Sequence, residues 1–145
     1  MHFYLAAILA MSALVAPGAA AAVGEQAKPV TALKAWVKAP ASGETGAMAF
    51  VTVENPGMYD IYLTSASTDA AGTVQLRAPA AGGAPPAPIK EAVVPAYDSL
   101  EMKPTGTHLW LTDLKRPLKA GETITLVIQT DGGVALEVKA DVRDK

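Results

Sequence analysis

The chain has 145 residues, no cysteine and a formal charge of −2. That length suits one domain with a modest core, and the missing cysteines exclude disulfides, thiolate metal sites and a lipid-modified cysteine anchor. Near-neutrality argues against nucleic acid as a partner and gives no reason for strong binding to anionic lipid.

No charged side chain precedes Glu25. An apolar run from Phe3 to Val15 leads into Pro17-Gly18 and then Ala19 to Ala22. This order predicts a secretory signal peptide over residues 1–22, cut near Ala20 or Ala22, with export to the periplasm. The leader lacks Lys and Arg, and about 20 apolar residues suffice to span a bilayer, so an uncleaved anchor is the alternative. The alanine-rich end and the Pro-Gly break favour cleavage, which leaves the mature chain without a membrane contact. A linker over 23–30 then precedes a single domain over 31–145.

The domain reads as strands divided by turns. Thr31 to Lys38 alternates around Leu33, Ala35 and Val37. Ala47 to Glu54 follows and stops at Asn55-Pro56-Gly57, a turn signal. Ile61 to Ser67 and Thr73 to Arg77 come next, then an Ala-, Pro- and Gly-rich surface loop from Ala78 to Pro88. Ile89 to Val94, Ser99 to Met102 and Thr107 to Thr112 precede a closing pair, Thr123 to Thr130 and Val134 to Val142. That pair is joined by Asp131-Gly132-Gly133, a hairpin signal. No sustained 3.6-residue apolar period occurs, so eight or nine short strands predict an all-β sandwich or barrel.

Alternation assigns faces. Leu109 and Leu111 point to the core, which puts His108 and Trp110 together on the other, exposed or half-exposed, face. Val74 and Leu76 point inward, leaving Gln75 and Arg77 outside. Met102 shares parity with Leu100 and reads as core; Met48 and Met58 read as core or turn residues.

Several pieces of the chain, in order and spacing, resemble the periplasmic copper chaperones of the PCu(A)C family. They are Ala35-Trp36-Val37, AMAFVTVENPG at 47–57, Val74-Gln75-Leu76-Arg77, Leu100 to Trp110 and Leu114 to Thr123. The resemblance implies a cupredoxin-like β-sandwich. It also implies a carrier that delivers Cu(I) toward the copper centre of cytochrome oxidase, often alongside Sco-type proteins.

The family site uses two histidines and two methionines, a set suited to soft Cu(I). The resemblance puts the second histidine at His108. At the first histidine place stands Arg77, and at the second methionine place Trp110. The loop that should carry the first methionine has none, and the spacing from Arg77 to His108 is about two residues short. A guanidinium offers only donors and a permanent charge, so the ligand set is degenerate. Trp110 can cap a cation or accept Arg77 on its face. Met58, after its turn, is an alternative thioether. The competing reading is a copper-free relative acting as a protein-interaction module.

No enzyme chemistry assembles from these residues. In the mature chain a catalytic triad has only His108 to draw on, the acidic residues define no acid/base pair, and no phosphate-binding loop or zinc spacing occurs.

Overall fold

A computed structural model describes residues 29–41 and 44–144. The expected signal peptide and most of the linker lie outside the described residues. The strands are β1 (Thr31–Lys38), β2 (Ala47–Asn55), β3 (Ile61–Thr68), β4 (Ala71–Ala78), β5 (Ala87–Pro88), β6 (Ala92–Val94), β7 (Asp98–Glu101), β8 (His108–Leu114), β9 (Thr123–Thr130) and β10 (Ala135–Arg143).

The sandwich is all-β, as alternation predicts, and its faces form one continuous ladder in the order β5-β4-β8-β2-β1-β10-β9-β3-β6. A further pairing of Thr68 with Ala71 joins β3 to β4 and closes the ladder into a flattened barrel. Closure removes free strand edges from its central members. Among the described strands, only β1 and β10 run parallel.

The interior is built by every second residue. Ala47, Ala49, Val51 and Val53 of β2 meet Leu109 and Leu111 of β8, Leu126 and Ile128 of β9, and Val37 of β1, all buried. Met102 joins them, as its parity predicts. The stretch read as a loop from Ala78 to Pro88 contains more order than composition suggests. A 3-10 turn at Ala81–Gly83 precedes the short edge strand β5, which pairs Pro88 with Arg77. Proline is tolerated there because an edge strand has one unpaired side.

The division of β2 matters most for the site. Its final residues pair with β7, from Thr52↔Glu101 to Asn55↔Asp98, while Ala47, Met48 and Ala49 pair with β8. Residues 102–107 therefore cross beside β2 at the level of Phe50. Met102 N–H donates to the Val51 carbonyl at 3.1 Å, and Lys103 N–H to the Thr107 carbonyl at 3.2 Å.

Candidate functional site

His108 opens β8 directly after that crossing, and its side chain is 1% exposed. This corrects the expectation of an exposed or half-exposed face. Parity placed the ring on the correct side of the strand, but that side is covered. Phe50, itself 1% exposed, lies with its ring centroid 6.3 Å from the imidazole. Across β4 the partner of His108 is Arg77, in direct register. The Gly106 carbonyl sits 2.9 Å from Nδ1. A carbonyl can only accept, so Nδ1 carries a hydrogen, and in the neutral imidazole the lone pair is then on Nε2. Metal-binding histidines are commonly held in this way, with the other ring nitrogen anchored to a backbone acceptor.

Trp110 lies two residues on, on the same side and half-buried. Its cross-strand partners are Gln75 on β4 and Met48 on β2. The Arg77 guanidinium carbon stands 5.0 Å from the centre of the indole, a cation–π arrangement. Arg77 Nη2 also donates to Gln75 Oε1 at 3.2 Å. Its Nε is buried without a hydrogen-bond partner, so the stack is held at the expense of one donor. The indole edge extends over Gly46, where any side chain would overlap the ring. A glycine just before β2 leaves the room that the indole edge occupies.

The structure thus brings His108, Arg77 and Trp110 together, as the family resemblance implied. It places Met58 elsewhere, 63% exposed in the β2–β3 turn at one end of the barrel. Met48, expected in the core or a turn, is instead half-buried on the outer row, where the register sets it directly opposite Trp110 and therefore diagonal to His108. Diagonal neighbours have Cβ atoms about 7–8 Å apart, within reach of long side chains. The available signal was parity: Met48 and Phe50 alternate against Ala47, Ala49 and Val51. Trp36 extends the same outer row, its ring 4.4 Å from Phe50 and capped by Arg143 at 5.6 Å.

As a metal site the cluster is thin. His108 Nε2 fits a soft cation, and a thioether on the same face fits as well. Arg77 does not fit, and Trp110 offers a π face rather than a lone pair. Among the described residues no group of three His, Asp or Glu side chains converges.

The closed β-barrel that carries His108 is a domain of the PCuAC type, as its likeness to solved structures shows. The copper-bound PCuAC domain from PmoF2 is 19% identical and superposes with a TM-score of 0.70 over 83% of this chain and 97% of that one. The apo PCuAC domain from PmoF1 is 21% identical, with a TM-score of 0.68 over 80% and 92%. At such identities these two show the fold alone. The Cu(I) form of DR1885 from Deinococcus radiodurans is 32% identical, with a TM-score of 0.69 over 88% and 87%. A family model, "Putative lipoprotein LpqE-like", matches residues 30–142. A relative named "Putative lipoprotein Lxx21020", from Leifsonia xyli subsp. xyli strain CTCB07, is 34% identical over 132 residues, 88% of this chain and 78% of its own. The chain belongs to this LpqE-like family, a branch of the PCuAC-type domains.

Proposed function

We propose that the protein is an exported copper chaperone of the PCuAC type that holds Cu(I) at His108 and holds it weakly. The observation that carries this reading is the imidazole itself: buried, anchored at Nδ1 by Gly106, and free at Nε2. The fold supports it, because relatives of this shape have been determined with copper bound. Met48 is the thioether best placed to assist, and Trp110 supplies a face on which a monovalent cation is stabilised. Arg77 opposes both by its charge. The cargo would be handed toward the copper centre of cytochrome oxidase, directly or with a Sco-type protein, in the periplasm. This role needs no catalysis.

One observation favours the second reading, a copper-free interaction module. Arg77 already occupies the indole face at 5.0 Å, so the space a capped copper would use is filled by a side chain. Copper stoichiometry on the purified mature protein separates the two. The chaperone reading expects one Cu(I) per chain, lost in His108→Ala. No saturable binding when Cu(I) is titrated into the native protein without a competing chelator would leave the interaction module standing.

A further inference from the structure

Five large apolar side chains stand exposed among the described residues: Met58, Tyr59, Val93, Tyr97 and Val134. They come from separate stretches of chain, and the fold gathers all of them at one end of the barrel. This is the end at which β1 begins, since Thr31 pairs with Glu54 just before the β2–β3 turn. Tyr97 N–H donates to the Gly57 carbonyl at 3.0 Å, tying the β6–β7 turn to the β2–β3 turn. Asp60 Oδ1 accepts from Ala96 N–H at 2.9 Å across the same join. Asn55, 1% exposed, sends Nδ2 to the carbonyls of Tyr59 and Val94 at 2.8 and 3.1 Å, while its Oδ1 accepts from Gly57 N–H at 3.1 Å. Val93 faces Tyr62 across β6 and β3. Asp131 binds the backbone of Tyr62 twice, by its own N–H at 2.9 Å and by Oδ1 at 3.2 Å, which brings the hairpin of Val134 alongside.

The presentation is built rather than incidental. Tyr97 holds a left-handed backbone, φ 58°, which bulky residues rarely adopt. Such a conformation persists only where its surroundings over-determine it. Tyr59 and Tyr97 are 76% and 74% exposed. At about 200 Å² per aromatic side chain, the two present roughly 300 Å². The largest apolar patch on an ordinary monomer is of about this size, 300–600 Å², and such patches are often functional.

The charges around the tips say what covers them. Glu54, Asp60, Glu91, Asp98 and Asp131 are exposed at this end, with Lys90 the basic neighbour. A second copy docking end to end would set acid against acid, and an anionic bilayer would be repelled in the same way. Tyrosine and methionine are enriched at the centres of protein–protein interfaces, with a polar rim outside. We propose that this end of the barrel is a docking surface for a protein partner that carries an apolar pocket rimmed by lysine and arginine. The surface lies away from His108, so it stands whether or not copper binds.

The test places the photo-crosslinking residue p-benzoylphenylalanine at position 59 of the full chain, expressed in cells of the native host. Adducts are mapped to the residue by mass spectrometry. The expected result is one dominant protein adduct, at an apolar segment flanked by Lys or Arg. Its yield falls at least tenfold when Glu54→Lys and Glu91→Lys reverse the rim, and is unchanged by His108→Ala. Neither glutamate makes a side-chain hydrogen bond among the described residues, so an unchanged melting curve shows that the reversed protein is folded. Adducts to phospholipid would overturn the proposal in favour of a bilayer, and adducts to a second copy in favour of self-association. No adduct, or yields indifferent to rim charge, would show that the surface docks nothing of this chemistry.

Discussion

Replacing Arg77 by glutamine should raise Cu(I) affinity by one to two orders of magnitude. Arg77 and His108 are direct antiparallel partners, so their Cα atoms lie about 5 Å apart. A guanidinium about 5 Å from a bound Cu(I) opposes it by about 3 kcal/mol at an effective dielectric near 20, or roughly a hundredfold. Arg77 is only half-buried, and solvent screening lowers that figure, hence the range. Glutamine keeps length and hydrogen bonding but removes the charge, so the gain isolates electrostatics from ligand supply. Arg77→His with Trp110→Met supplies an imidazole opposite His108 and a thioether two residues along, and should exceed the glutamine variant. The assay is competition with a Cu(I) chelator on the native protein, Arg77→Gln, the double variant and His108→Ala. An Arg77→Gln affinity within threefold of native would mean that copper does not sit near this guanidinium. Tight native binding that survives His108→Ala would move the metal off β8 altogether, with Met48 and Met58 the first thioethers to substitute.

Three further outcomes are expected. Gly46→Ala forces a methyl into the Trp110 ring and should cost about 1–3 kcal/mol in urea unfolding, the usual range for overpacking; Trp110→Met in the same chain should recover most of the loss. Asn55→Ala removes three hydrogen bonds at a buried position and strands two carbonyls, so stability should fall by about 3 kcal/mol, at roughly 1 kcal/mol per bond, with the melting temperature as readout. The exported protein should begin near Ala21 or Val23; N-terminal sequencing that finds Met1 on membrane-bound material would establish an anchor instead.

How much of this was legible beforehand differs between the barrel's two faces. Local alternation in β8, and the parity of Met102 with Leu100, identified inward residues, because neighbouring side chains on a strand must point opposite ways. Leu109, Leu111 and Met102 are buried as that rule requires. The turns at Asn55-Pro56-Gly57 and Asp131-Gly132-Gly133 were legible for a similarly local reason: their residues favour reversal wherever they stand. The pairing of Arg77 with Trp110 was anticipated from the order of motifs along the chain. What lies over an outward-facing side chain is another matter, because it depends on segments distant in sequence. His108 is buried because β7 and β8 share β2 and the crossing at 102–107 passes beside Phe50. Met48 meets Trp110 because of a register set between strands some 60 residues apart. The gathering of Met58, Tyr59, Tyr97 and Val134 at one end likewise follows from strand order. Each of those residues reads locally as an ordinary turn or strand position. Alternation is a property of one strand and survives in the sequence; coverage is a property of several strands at once and exists only after the barrel closes.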